Sequence, residues 1–375
     1  MKRTQVSNRR LSYCRVGISR KTREKSRSGL ESVLSVDSAT YPFGDVVKLP
    51  FGILYPSPVG KRTYFDLQIE GVGTKTLLAE LSGNYSSIGR DAVAMAVNDV
   101  IRSGARPVLL SDAIHISKSE IGKVRELVSG VREGAKLAGS LLVSGETGDV
   151  AEILHPGIEK DSPPFDLFVS CFGLAMKDEI IRGKVSPEDR IIGLRSSGIH
   201  SNGLTLARKV LIKRWGGKFD PWETLEGFDR PLIDELLLPT KIYSGELKKI
   251  QESVEIKAAV HITGDGFAKF RRLLDWSERQ NGSGLGFNFR LDRRVPEIFK
   301  LIQRTAKIMG TPLSLVEMYK TFNMGYGFAL IVSPRNLSLA LDSLNNDFSA
   351  EEIGYVSSDG KISVASQDTE RPILL

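Results

Sequence analysis

The sequence is poor in the residues that build disulfide frameworks and metal sites. Only two cysteines, Cys14 and Cys171, occur among 375 residues, and neither belongs to a CxxC pair. A disulfide framework or a structural zinc site is therefore not expected. The four histidines are scattered and form no HExxH motif. No apolar run approaches the roughly 18 residues that span a bilayer, and no signal-peptide core follows the basic N-terminus. We therefore expect a cytoplasmic protein with no membrane partner.

Acidic residues are scarce in the first 30 residues, which hold ten Lys or Arg and one acid, a balance of +9. The net charge of the whole chain is +7, so the net charge of residues 31–375 is −2. A basic arm of this kind could stay solvated, close over a phosphorylated substrate or touch nucleic acid. The rest of the chain shows no basic stripe interleaved with aromatic residues, so nucleic acid is not expected as a partner.

The phosphate-binding signature GxxxxGK[ST] is also missing. Gly60 and Lys61 come closest, but Tyr55 stands where the first glycine belongs and Arg62 follows where Ser or Thr is needed. A P-loop fold is therefore disfavoured.

Strand-like and helix-like patterns alternate along the chain, which predicts an α/β protein of the α+β type. Residues 63–70 alternate apolar and polar side chains and predict a strand with one buried face, formed by Phe65, Leu67 and Ile69. Asp91 is predicted to open a helix, and Ser119 to cap the next one. We divide the chain into a basic arm (1–40), an N-terminal domain (41–178) and a C-terminal domain (179–375).

Oxygen-bearing and glycine residues recur where the predicted elements of the first half end. Backbone amides of glycine turns, a lysine and carboxylates that hold Mg²⁺ are the usual devices for binding a polyphosphate. Asp91 and Asn98 lie seven residues apart, so they project from one helix face and could share a cation. Each acid taken alone is more ordinarily a helix cap or a solvated group. The nucleotide-site candidates are Glu70, Gly71, Gly73, Thr74, Lys75, Asp91, Asn98, Asp99, Asp112, Gly145 and Glu146.

Two loops of the second half combine small residues with a histidine. Residues 196–203 read SSGIHSNG and residues 261–266 read HITGDG, and each follows a predicted strand. Their amides and hydroxyls suit an anionic oxygen, and a histidine can act as acid or base near neutral pH. A capped turn with Asn202 as N-cap is the purely structural alternative. The candidates here are His200 and His261 for catalysis, and Ser196, Ser197, Gly198, Ser201, Asn202, Thr263 and Gly264 for substrate binding.

Seven segments in order carry a family resemblance: GVGTK (71–75), DAVAMAVND (91–99), SGET (144–147), SSGIHSNG (196–203), LLPTKIY (237–243), HITGDGF (261–267) and EMYKTFNMGYG (317–327). With them the chain resembles aminoimidazole ribonucleotide synthetase, also called phosphoribosylformylglycinamidine cyclo-ligase, from about residue 70 to residue 356. The resemblance implies the two-domain synthetase fold of this superfamily, and a homodimer whose N-terminal strands form a shared β-barrel.

The resemblance also implies a reaction, in which ATP phosphorylates the formamide oxygen of formylglycinamidine ribonucleotide and an amidine nitrogen then closes the imidazole ring. By this likeness Lys75 meets the nucleotide phosphates, and it counts with His200 and His261 as catalytic. Mg²⁺ would be held by Glu70, Asp91, Asp112 and Glu146. Whether K⁺ is a further cofactor stays open.

Some residues depart from the family pattern. The family has Asp where Glu70 stands, a proline turn in place of the segment around Asp149, and glycine where Asp265 stands. The substrate could therefore differ, with another ATP-dependent amide- or phosphate-activating enzyme of the superfamily as the alternative. A hydrogenase-maturation enzyme would end in a reactive cysteine, whereas this chain ends in PILL.

Overall fold

The computed structural model describes residues 12, 19–60, 62–155, 163–282, 284–291, 295–345, 348–367, 369 and 371–375. The predicted alternation of strands and helices is confirmed. The strands are β1 (Val47–Leu49), β2 (Gly52–Pro56), β3 (Thr63–Gly71), β4 (Arg106–Ile116), β5 (Leu141–Asp149), β6 (Phe165–Met176), β7 (Arg190–Arg195), β8 (Ala258–His261), β9 (Gly286–Leu291), β10 (Tyr326–Val332), β11 (Ala350–Ser357), β12 (Ile362–Ser366) and β13 (Ile373–Leu374).

Helices cover both sheets. They are α1 (Arg20–Ala39), α2 (Thr76–Ser82), α3 (Ser86–Ile101), α4 (Ile121–Ala138), α5 (Leu204–Leu211), α6 (Leu232–Leu236), α7 (Ser244–Gln251), α8 (Arg271–Asn281), α9 (Glu297–Ile308), α10 (Leu315–Thr321) and α11 (Leu337–Asn345). In the part of the chain given above, no helix is both long and apolar enough to cross a bilayer.

The first sheet has six strands in the order β1-β2-β3-β6-β4-β5. Strand β6 runs through its middle and pairs antiparallel with β3 and β4, while β4 and β5 are parallel. Alternate residues of β6 are buried because one face of the sheet is covered by α3, whose apolar residues are almost all inaccessible. The second sheet has seven strands in the order β13-β12-β9-β11-β7-β10-β8, and every residue of β10 in it is buried.

The predicted burial of β3 is wrong, because its two faces are exchanged. Leu67 and Ile69 are 67% and 65% exposed, whereas Asp66 is 3% exposed. The polar side chains face α3, where Asp66 accepts a hydrogen bond from Gln68 and Arg102 lies nearby. Alternation gives the period of a strand but not which face is covered. The apolar face of this sheet is the outer one.

Two predicted helix starts are also wrong. Helix α3 begins at Ser86, five residues before Asp91, which is fully buried inside the helix. Ser119 does not cap α4: its hydroxyl donates to Asp149 at 2.7 Å, and the N-cap position is taken by Glu120. In both cases a tertiary partner uses the polar side chain that the sequence pattern assigned to a local cap.

Candidate functional site

The two halves of the chain meet along one side of α3. We call this contact the seam: it joins α3 to residues 238–243 and to His261 at the end of β8. Asp91 and Asn98 lie two turns apart on α3, and each bonds a different part of the 238–243 segment. The polar residues that the sequence placed at element ends in the first half therefore contact the second half directly.

Lys75 and Asp91 form a fully buried ion pair at one end of the seam. The Lys75 ammonium lies 2.7 Å from Asp91 Oδ2 and 2.9 Å from Oδ1, and it donates to the carbonyl of Leu238 at 2.7 Å. Lys75 thus donates two hydrogen bonds, to Asp91 Oδ1 and to Leu238, whereas Asp91 Oδ2 is close enough for an ion pair but accepts no hydrogen bond. Burial lowers the pKa of Lys75, and the attraction of Asp91 opposes that shift. Lys75 is fully buried, so a phosphate could reach it only after a rearrangement of the seam.

Asp91 also gathers three donors from the second half. Its Oδ1 accepts from the Thr240 backbone N–H at 2.7 Å, from the Thr240 hydroxyl at 2.6 Å and from the Ser201 hydroxyl at 3.1 Å. Asp91 and Asn98 thus act separately, and neither is arranged to share a cation with the other. At the rim of the seam, the hydroxyls of Thr74 and Thr205 lie 2.9 Å apart.

His261 and Asp99 form a dyad at the other end of the seam. The histidine Nδ1 lies 2.8 Å from Asp99 Oδ1, and its Nε2 lies 3.5 Å from the amide nitrogen of Asn98. An amide nitrogen only donates, so Nε2 is an acceptor and Nδ1 carries the proton. Burial lowers the pKa of His261 to about 4, against the pull of Asp99. The imidazole is therefore neutral near pH 7.

Charged neighbours hold Asp99 as a carboxylate. Burial alone would raise its pKa, but Arg102, Lys269 and His261 outweigh burial and bring the pKa below its ordinary value. Arg102 lies 2.8 Å from Asp99 Oδ2. Burial, helped by the charge of Asp99, raises the pKa of Glu70 to about 7. Glu70 is thus partly protonated near neutral pH, and it shares this cluster with Lys269 of the second half.

Lys269 connects the cluster to the second histidine loop. Its ammonium donates to the Thr263 hydroxyl at 2.7 Å, and burial lowers its pKa to about 8. Gly264 lies in the same loop. Lys269 was not predicted from the sequence, and neither was Arg102. Arg102, the C-cap residue of α3, follows Asp99 by three residues, a helical spacing that brings them to one side and could have revealed the pair.

The 196–203 loop folds around its own histidine. The backbone N–H of Ser197 donates to His200 Nε2 at 3.2 Å, and the Ser197 hydroxyl donates to the carbonyl of Pro239 at 2.6 Å. Burial lowers the pKa of His200 well below its ordinary value. Gly203, not Asn202, occupies the N-cap position of α5, and the Asn202 amide contacts the sulfur of Met95. His200 and His261 are both almost fully buried.

Asp112 lies apart from the seam, on the helix-facing side of the first sheet. Glu70 and Asp112 both pair with Val169 of β6, from opposite sides, so the three side chains share a face. Asp112 is buried, burial raises its pKa, and one of its oxygens has no hydrogen-bond partner. Its other oxygen occupies the space where a Cβ at Gly145 would stand. A side chain at position 145 would therefore push the Asp112 carboxylate aside.

Glu146 pairs with Ala113 and lies on the outer face of the sheet, exposed. The four predicted magnesium ligands are therefore dispersed: Asp91 is paired with Lys75, and Glu146 is on the face opposite to Asp112. Among the residues that the structure describes, no three His, Cys, Asp or Glu side chains are grouped so that they could hold one metal ion. Position at the end of an element did not reveal on which face of the sheet each side chain lies.

Comparison with known proteins assigns the chain to a family. Two family models match: AIR synthase related protein, N-terminal domain, over residues 55–175, and AIR synthase related protein, C-terminal domain, over residues 186–367. A phosphoribosylformylglycinamidine cyclo-ligase of Pyrococcus furiosus is 34% identical over 360 residues, covering 92% of this chain and 95% of the relative. A protein of the same name from Bacillus licheniformis is 38% identical over 280 residues, covering 74% and 75%.

A solved structure shares the fold at low identity. The hydrogenase maturation protein HypE in complex with ATP matches with a TM-score of 0.56 and 16% identity, covering 85% of this chain and 86% of that one. The two matching family models extend over most of the chain, and the relatives match both of its halves. The chain therefore belongs to the AIR synthase related protein family.

Proposed function

We propose that the protein is an ATP-dependent cyclo-ligase that converts formylglycinamidine ribonucleotide to aminoimidazole ribonucleotide in purine biosynthesis. Its relatives bear the cyclo-ligase name at 34–38% identity. The observation that carries the proposal is the seam, where Asp91 bonds Ser201 of the first histidine loop and Asp99 bonds His261 of the second. This contact supports the proposal because it brings polar residues of the two halves together.

The reaction needs an activated oxygen and a nearby nitrogen. The formamide oxygen attacks the γ-phosphorus of ATP, which forms a C–O–P linkage and releases ADP. An amidine nitrogen of the same substrate then forms a bond to that carbon, the C–O bond breaks, and inorganic phosphate leaves with both bonding electrons. Loss of a proton completes the aromatic ring. Both reacting groups belong to one molecule, so the protein accelerates ring closure most by holding the two groups in contact.

His261 is suited to take the proton that the amidine nitrogen loses. Its Nδ1–H is held by Asp99 at 2.8 Å, which fixes the ring orientation and leaves Nε2 as the basic atom. An acid that orients a histidine in this way also stabilises the imidazolium once it forms. His261 is 1% exposed, so substrate reaches Nε2 only when the seam opens. The hydroxyl hydrogens of Ser196, Ser197 and Ser201 are used by Asn323, Pro239 and Asp91, so the backbone amides of this loop would bind anionic oxygens of the substrate.

Asp112 fits a divalent cation such as Mg²⁺. It has one buried oxygen without a partner, and its other oxygen lies over Gly145, which has no side chain. Glu70 shares its face of the sheet and supplies a second carboxylate. When bound, the cation would neutralise charge on the ATP phosphates. Within the chain, Asp112 and Glu70 would hold it, while Lys75 and Asp91 keep the seam segment in place.

We also propose that the protein is a homodimer formed through the outer face of the first sheet. Leu67 and Leu109 both pair with Phe172, and Leu109 also pairs with Leu141, which makes an apolar row across four strands. Leu67, Leu109 and Leu141 are 67%, 38% and 63% exposed. A continuous apolar patch of this kind marks an interface. A second copy would cover it and would face Glu146.

The basic arm would serve as a lid anchored by Arg20. The Arg20 guanidinium lies 3.1 Å from Glu317, and it donates to the Thr321 hydroxyl at 2.8 Å and to the carbonyl of Lys320 at 3.1 Å. Residues 1–11 and 13–18 of the arm lie outside the described residues. Removing residues 1–19 and replacing Arg20 with Ala should raise KM for the ribonucleotide. An unchanged KM would exclude the lid.

The function is tested by incubating purified protein with formylglycinamidine ribonucleotide, ATP and Mg²⁺. We expect one ADP and one phosphate for each aminoimidazole ribonucleotide formed, with no ATP turnover in the absence of the ribonucleotide. ATP consumption with a different amide or phosphate acceptor, and no imidazole product from this substrate, would favour another activity of the superfamily.

A further inference from the structure

Asn323 lies between α10 and β10, in the 317–327 segment to which the proposed chemistry assigns no role. It is 3% exposed. Its side-chain oxygen accepts from the Ser196 hydroxyl at 3.1 Å and from the Gly325 N–H at 2.9 Å. Its amide nitrogen donates to the carbonyls of Gly198 at 2.9 Å and Ile199 at 3.2 Å. One asparagine side chain thus binds the His200 loop at three points.

The network also fixes which way the amide points. Two carbonyl oxygens face the amide nitrogen, and a backbone N–H faces the amide oxygen. The reversed orientation would place oxygen against two oxygens and nitrogen against an N–H. The position therefore requires a side chain of this length that has two donor hydrogens and one acceptor oxygen. Only asparagine among the short side chains meets that requirement.

The bonded loop is held in an unfavourable backbone conformation. His200 has φ = +66°, in the left-handed region that residues other than glycine rarely adopt. Such a conformation is strained and persists only where its surroundings fix it. Asn323 bonds the carbonyls of Gly198 and Ile199, immediately before His200. The asparagine thus secures the segment that sets the direction of the imidazole.

The end of α10 contacts the second histidine loop as well. Gly266 packs so closely against the carbonyls of Tyr319 and Phe322 that a Cβ there would overlap them. The ring of Phe322 packs equally closely on Gly203, which ends the His200 loop. The turn that carries Asn323 is therefore built between both histidine loops, and the side chain of Asn323 itself acts on the loop of His200.

We propose that Asn323 is a positioning residue for the ring closure: it acts through His200, by holding the 196–200 backbone in the conformation that directs the imidazole. The inference rests on the cyclo-ligase function proposed above. Asn323 itself is buried behind the loop and contacts no reacting atom.

Asn323→Asp provides a selective test, because it retains the shape and the acceptor but replaces the donating nitrogen with oxygen. At pH 8 a carboxylate would face the carbonyls of Gly198 and Ile199, and we expect kcat to fall at least ~10-fold, since buried hydrogen bonds are lost. KM for ATP should stay within ~2-fold. As pH falls, the protonated carboxyl regains one O–H donor, so the ratio of variant to wild-type kcat should rise.

Asn345→Asp is the matched control. Asn345 is exposed at the end of α11 and accepts from the Ala350 N–H, a bond that Asp retains. Its kcat should equal that of the wild type at every pH. For Asn323→Asp, a kcat ratio that stays constant with pH would overturn the positioning role and indicate a general loss of structure. An unchanged kcat would overturn it as well.

A second measurement separates this inference from the proposed function. In protein labelled with ¹⁵N-histidine, the His200 ring signals, identified with His200→Gln, should shift in Asn323→Asp, while those of exposed His115 and His155 stay in place. That shift would support the positioning role even if the wild-type protein made no imidazole product. Unmoved His200 signals would overturn the role even if the wild type were fully active.

Discussion

The buried pair of Lys75 and Asp91 allows a sharp test of how the seam works. Lys75→Met keeps the length of the side chain and removes its charge, leaving the Asp91 carboxylate buried without its cation. Breaking one partner of a buried ion pair costs about 3–5 kcal/mol. Both side chains are fully inaccessible, so solvent screening does not reduce this figure. We expect the free energy of unfolding in urea to fall by that amount.

The same substitution should lower turnover beyond its effect on stability. Lys75 donates to the carbonyl of Leu238. Asp91 accepts hydrogen bonds from Thr240 of the 238–243 segment and from Ser201 of the His200 loop. Loosening this group misplaces the donors that face the substrate, and loss of one preorganised donor costs roughly 10²–10³ in kcat. Steady-state assays below the unfolding temperature would measure the loss.

Lys257→Met is the matched control. Lys257 lies 2.7 Å from Asp189 in the second half of the chain, away from the seam, and Asp189 is 2% exposed. Because the Lys257 side chain is 22% exposed, its loss should destabilise the protein less than the loss of Lys75, while kcat stays within ~2-fold of the wild type. Equal losses of kcat in both variants would show that stability alone explains them. Wild-type kcat in Lys75→Met would refute the reasoning outright.

Three further predictions follow from the site. His200→Ala should lower kcat roughly 10²-fold and leave KM for ATP within ~2-fold, in steady-state kinetics. Burial lowers the pKa of His261 from 6.5 to about 4, so as pH falls His261 of the unfolded chain takes up a proton before His261 of the folded protein does. The free energy of unfolding should therefore drop by up to ~3 kcal/mol between pH 6.5 and pH 4. His261→Gln should flatten that pH dependence in urea titrations. A Leu67→Lys/Ile69→Lys protein should be monomeric by light scattering, whereas a Leu137→Lys protein, changed at an exposed position of α4, should stay dimeric. A dimer in the first variant would exclude the outer sheet face as the interface.

The order of the elements could be predicted from the sequence, because period and turn residues are local signals. The burial of β3 could not, since Leu67 and Ile69 alternate correctly but face outward. Helix starts failed for a related reason: Asp91 and Ser119 have the chemistry of caps, but tertiary partners use them. Local patterns do not show which partner a polar side chain finds.

The site was predicted unevenly for the same reason. The motifs identified His261 and Asp99, which the fold brings within 2.8 Å of each other. They gave no role to Lys269, Arg102 or Asn323, whose functions depend on contacts made by distant segments. Glu146 was grouped with Asp112 from the family resemblance and from its position at the end of an element, although the strand register puts them on opposite faces.

The measurement that tests the central claim most directly uses ribonucleotide substrate labelled with ¹⁸O in the formamide group. If ATP activates that oxygen, the label must leave the carbon with phosphorus, and all of the ¹⁸O should be found in inorganic phosphate after one turnover. Label recovered in water, with unlabelled phosphate released alongside the imidazole product, would contradict phosphorylation of the formamide oxygen.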